Sequence, residues 1–121
     1  MKLSEAIRLG SMLHPQHFGD MHGWETDGDK IVIASSCALG AAMDAGYLID
    51  IKGLLDTYTI CPACLVSAPP TGRVQATIVH LNELHKWTRE RIADWIESIE
   101  MREESLSEQS KKDETLELIK V

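Results

Sequence analysis

Four stretches of this chain repeat apolar side chains at three- and four-residue spacing, the period of a helix that buries one face. The first is "LSEAIRLGSML", with Leu3, Ala6, Ile7, Leu9 and Leu13 on one side. Ser4 stands where an N-cap would, Glu5 falls in the first turn where the helix dipole favours a negative charge, and Pro15 stops the run. In "SSCALGAAMDAGY" the spaced positions are Ala38, Ala41, Ala42 and Ala45, with Ser35 or Ser36 to cap and Gly46 to close. So many small residues allow a neighbouring element to pack very close. The third run, "RVQATIVHLNELHKW", carries Val74, Ile78, Leu81 and Leu84 or His85. The fourth, "RERIADWIESIEM", follows Thr88 as a cap and places Ile92, Trp95, Ile96 and Ile99 on one face. A fifth, shorter helix is expected in "IDIKGLLDTY", anchored by Ile49, Leu54 and Leu55 and interrupted by Gly53.

The intervening segments carry breakers and turn residues. "HPQHFGDMHGWETDGDK" has no helical period, and its Asp27-Gly28 pair, between Trp24 and Ile31, fits the turn of a short β hairpin. Pro69, Pro70 and Gly72 break the chain before the third helix. From Arg102 the apolar spacing fails, and "REESLSEQSKKDE" is too charged and serine-rich to repay its ordering entropy. The pattern therefore predicts a mainly α fold. A compact bundle of four or five short helices, with a small β hairpin, makes a single domain over residues 1–101. A flexible acidic tail follows over 102–121. The final "TLELIKV" brings Leu116, Leu118 and Ile119 back as a terminal apolar cluster that could fold on a partner.

Composition narrows the function classes. At 121 residues and 44% apolar, the chain can build one real core, although its single Phe, two Tyr and three Trp make that core largely aliphatic. A net charge of −7 argues against nucleic acid as a partner, because phosphate backbones require clustered positive charge. Glu5 and Arg8 interrupt what would have to be an apolar signal sequence, and the apolar run Ile31 to Ala34 is far too short to span a bilayer. A cytoplasmic protein without a membrane partner is expected. Its odd count of three cysteines does not suit a disulfide framework.

Those cysteines carry the candidate chemistry. Cys61 and Cys64 sit in "CPAC", followed by His80 and His85, a spacing that loosely fits a tetrahedral site for structural zinc. One feature opposes it: positions five apart on a helix are rotated by about 140°, so His80 and His85 share a face only if the helix breaks between them. Cys61 and Cys64 with His14, His17 or His22 form an alternative ligand set that no spacing rule supports. The same pair could be two packed cysteines, or a redox dithiol. Against the redox reading, "LVSAPP" follows where a long helix should open. Cys37, at the first turn of the second helix, could act as a nucleophile with His80 and Asn82, against the commoner role of a small core residue. Thr88 to Ala93 resembles the start of a helix-turn-helix module, but no basic recognition helix follows.

Together "KLSEAIRLGSML", "SSCALGAA", "CPAC" and "HLNELHKWTRERIADWIE" resemble a family of small bacterial and phage proteins, one with no established activity. The resemblance covers most of residues 2–99. Glu83 stands where that pattern has Asp, and Leu65 where Gly often follows a zinc knuckle. Since no complete catalytic constellation accompanies the packing helices, the expected function is a non-enzymatic accessory or protein-interaction module. The alternative is a thiol enzyme or redox protein using Cys37 or the Cys61/Cys64 pair, and a DNA-binding regulator is a minor third.

Overall fold

In the computed structural model, residues 1–47 and 53–119 are described, with side chains through residue 105. Among the described residues four helices and one hairpin follow in the order α1 (Leu3–Ser11), β1 (His22–Asp27), β2 (Lys30–Ser36), α2 (Ala38–Asp44), α3 (Val74–Glu83) and α4 (Arg89–Ile119), with a 3₁₀ turn at Leu54–Asp56 between α2 and α3. The mainly helical expectation and the Asp27-Gly28 hairpin are both present. β1 and β2 are antiparallel, pairing Asp27 with Lys30 and Trp24 with Ile33, and Gly28 makes the turn at φ +64°, a region glycine enters without a Cβ clash.

The core joins α1, α2, α3 and the first turns of α4. Leu3, Ile7, Leu55, Ile78, Leu81, Ile92 and Ile96 are all fully buried, with Ala38, Ala42 and Cys61 among them. α1 and α2 meet most intimately at Gly10, where a Cβ would lie 1.7 Å from the Ala41 carbonyl oxygen. The small-residue surface of α2 thus packs against a glycine whose place the apolar spacing of α1 does not mark. Leu9 and Leu13, assigned by that spacing to the buried face, are exposed because Gly10 and Ser4 take the inward positions.

Helix starts differ from the expected caps. α1 begins at Leu3 with Lys2 as its N-cap, and Ser4 is buried inside the first turn. α2 is capped by Cys37, whose Sγ accepts from the Gly40 N–H at 3.3 Å, while Ser36 ends β2. Thr88 caps α4 as expected, its Oγ1 accepting from the Arg91 N–H at 3.2 Å.

The expected fifth helix is in part a 3₁₀ turn at Leu54–Asp56, and its anchor Ile49 lies outside the described residues. α4 continues to Ile119 across the stretch expected to be a flexible tail. No Gly or Pro follows Gly72, so nothing in the covalent chain stops that helix. Arg8 stitches α1 to α4 through Glu90, Asp94 and Glu97, at 3.3, 2.7 and 2.8 Å.

Candidate metal centre

The cysteine loop is held against α3 by backbone pairing. Thr59 N–H donates to Gly72 O at 2.9 Å and Val74 N–H to Thr57 O at 2.8 Å, so residues 57–59 run beside the segment that opens α3. Within the loop, Leu65 N–H donates to Cys61 O at 2.8 Å and Cys61 N–H to Val66 O at 2.9 Å. This double closure folds Cys61–Val66 into a knuckle with both thiols on one side, and it requires φ +62° at Leu65.

α3 supplies the other two donors by ending between them. Its last residue is Glu83, Leu84 is the C-cap, and Lys86 takes φ +55°. His85 N–H reaches back to His80 O at 3.4 Å, one residue further than an α-helical bond. The helical rotation that would separate the two imidazoles is thereby undone, and their Nε2 atoms lie 3.1 Å apart.

Cys61 Sγ, Cys64 Sγ and one ring nitrogen each from His80 and His85 all lie within 4.8 Å of one another. The separations can be compared with a zinc tetrahedron. Zn–S near 2.3 Å and Zn–N near 2.05 Å imply edges of about 3.5 Å for S···N and about 3.3 Å for N···N. Cys64 Sγ stands 3.5 Å from His80 Nε2, and the two Nε2 atoms 3.1 Å from each other. Two thiols and two imidazoles are the borderline-soft donor set that zinc selects. Burial, and then the neighbouring His85, push His80 below its ordinary pKa, which favours the neutral imidazole a metal needs. Cys61 is fully buried, Cys64 exposed, and both histidines half-buried.

The other candidates have different company. His17 Nδ1 is 3.0 Å from Ser35 Oγ, its Nε2 meets the Asp20 carboxylate, and its N–H donates to Ser36 O, which pins the loop after α1 to β2. His22 Nε2 is 2.9 Å from Asp44 Oδ1, joining the hairpin to α2. Neither joins the Cys61/Cys64 cluster, nor does His14.

Cys37 is buried with its Sγ engaged at Gly40, and burial is the main reason its thiol pKa is raised. Asn82 is fully buried and spent on structure: Oδ1 accepts from Gln16 Nε2, and Nδ2 donates to His17 O and Glu83 Oε1. Among the described residues no hydrogen bond joins Cys37 to His80 or Asn82. The CPAC loop does not open a helix, the next one starting only at Val74.

Arg89 is a clamp the sequence pattern does not reveal, because it sits in an ordinary first helical turn. Buried under the domain, its guanidinium donates to Ser36 O and Oγ at 3.2 and 3.0 Å and to Ser11 O at 3.2 Å. It ties the ends of α1 and β2 to the start of α4. No described helix is long and apolar enough to cross a membrane. The chain matches no family model, no curated protein and no solved structure.

Proposed function

We propose that this chain is a metal-stabilised helical module in which Cys61, Cys64, His80 and His85 hold a structural zinc ion, and that it serves as a non-enzymatic accessory by binding another protein. The observation that carries the metal reading is the convergence of four donor atoms within 4.8 Å from two segments separated by fifteen residues of loop and helix. Four protein donors fill the coordination preferred by zinc and leave no position for substrate, which favours a structural role over a catalytic one. The ion would fasten the knuckle to the end of α3, where the chain turns into α4. The burial of Cys37 disfavours its thiolate, so the thiol-enzyme alternative gains nothing from that residue.

The resemblance in residues 2–99 supports a bacterial or phage origin. Net charge −7 supports a protein partner over nucleic acid. Thermal melting with and without chelator tests the metal reading. The expected result is a chelator-induced drop of many degrees, restored by added zinc, because metal binding of this kind is coupled to folding. An unchanged melt refutes it. Affinity capture with the full chain and with a form lacking residues 103–121 tests the accessory role.

A further inference from the structure

The knuckle carries a side chain that its own stability does not call for. Closure of the Cys61–Val66 loop places position 65 in a left-handed conformation, which glycine adopts freely and a bulky residue adopts only with strain. Leu65 accepts that strain while remaining 73% exposed, so little burial offsets it. Val66 beside it is also exposed, at 60%. Strain held at an exposed apolar tip points to a contact made with another molecule.

An opening suited to such a tip lies on the same side of the domain. A groove of about 850 Å³ runs along the outer face of α3, with Pro69, Pro70, Val79 and Leu84 among its walls and His80 at its edge. His80 Nε2 is 3.5 Å from Cys64 Sγ, so the knuckle and the groove are immediate neighbours. A knob beside a complementary hollow is what a two-fold pairing of identical chains needs, because each copy then inserts its knob into the other's hollow.

Charge favours the same occupant. The charged residues lining the groove are already engaged: Arg73 with the Asp56 carboxylate, and Glu83 with the Gly19 N–H and the Asn82 amide. Elsewhere the chain is strongly acidic, carrying −7 overall and a row of carboxylates at Glu90, Asp94 and Glu97 that outnumbers the cation pairing with it among the described residues, Arg8. Two copies repel through that acidic face and meet less repulsion through the groove.

We infer that the knuckle and the α3 groove form a self-complementary surface through which two copies of this chain pair, with Leu65 and Val66 of each seated between the prolines and Leu84 of the other. The surface depends on the backbone closure of residues 61–66 and goes beyond the metal reading. Sedimentation equilibrium over a wide concentration series tests it on the full chain and on Leu65→Gly, Leu65→Met and Leu84→Asp. The expected result is reversible dimerisation of the native chain, retained by Leu65→Met. Leu65→Gly and Leu84→Asp weaken it roughly tenfold or more, as loss of a central anchor does. At dilution, where the chains are monomeric, Leu65→Gly melts at or above the native temperature, since it relieves strain. A native chain that stays monomeric at every concentration, whether the face meets a different protein or none, overturns the proposal. So does a dimer indifferent to both substitutions, or a Leu65→Gly monomer that melts lower.

Discussion

Replacing Gly10 by alanine pits two opposite effects against each other. In a helix interior alanine is favoured over glycine by about 0.5–1 kcal/mol, so propensity alone predicts a more stable protein. The packing predicts the reverse. The new Cβ would lie 1.7 Å from Ala41 O, 2.3 Å from Ala41 C and 2.7 Å from Ala41 Cα, all backbone atoms that cannot swing aside. Ordinary contact needs about 3.4 Å, so α1 and α2 must part by roughly 1.7 Å in a close-packed interior. That gap would open inside the core cluster to which Ala6 and Ile7 of α1 and Ala38 and Ala42 of α2 belong. Overpacking of this kind costs about 1–3 kcal/mol, and the upper end applies where the obstruction is backbone. Subtracting the propensity gain leaves a net loss of about 2 kcal/mol. Urea unfolding followed by tryptophan fluorescence reads it as a lower midpoint at unchanged slope. Leu9→Ala, at an exposed site in the same helix, is the control and should move stability by no more than about 0.5 kcal/mol. A Gly10→Ala protein as stable as the native one, or more so, would refute the close approach of the two helices.

Arg89→Met should cost on the order of 2–3 kcal/mol in the same assay, since it strips a charged donor from the buried Ser36 and half-buried Ser11 acceptors; a loss below about 0.5 kcal/mol would show the clamp to be dispensable. In chelator-treated native protein, mass spectrometry after iodoacetamide should find Cys64 alkylated quickly and Cys37 spared, because Cys64 is exposed while Cys37 is buried with a raised pKa; rapid labelling of Cys37 would contradict its placement. For His80, whose folded pKa is depressed, the unfolded chain takes up its proton first as pH falls through about 6.5, so stability declines below that value and is unaffected above it. Chelated His80→Asn should accordingly show a flatter fall in melting temperature on acidification, and an equally steep one would remove His80 as a cause. Hydrogen exchange should protect the amides of Ile92 to Ile99 strongly and those of Ser105 to Asp113 weakly, as their charged, serine-rich sequence implies; strong protection along all of α4 would exclude a mobile tail.

The elements most legible in the sequence are those whose period and punctuation agree. Ile92 and Ile96 line a buried face as their spacing implies, and Asp27-Gly28 turns the hairpin. The four candidate metal donors, Cys61, Cys64, His80 and His85, are visible as a set too. What spacing alone could not supply was the way His80 and His85 converge, because that depends on α3 stopping at Glu83 and on the positive φ of Lys86, with no glycine to announce it. Other differences arise where tertiary contact overrides a local rule. Ser4 could cap α1 but is buried within it, and Cys37 caps α2 in place of the neighbouring serines. Gly10 reads as a weak point of a helix, yet the approach of Ala41 requires it. Arg89 and Asn82 look like surface residues by type and are buried because each satisfies acceptors or donors brought from distant segments.

The role of the knuckle turns on whether Cys61, Cys64, His80 and His85 hold an ion. Elemental analysis of protein expressed and purified without chelator decides it most directly, with Cys64→Ala and His85→Ala alongside. About one zinc per chain is expected in the native protein, with a substantial loss in each variant, since a tetrahedral site deprived of one donor binds far less tightly. Metal content near zero in folded native protein, or zinc retained undiminished by both variants, would contradict it.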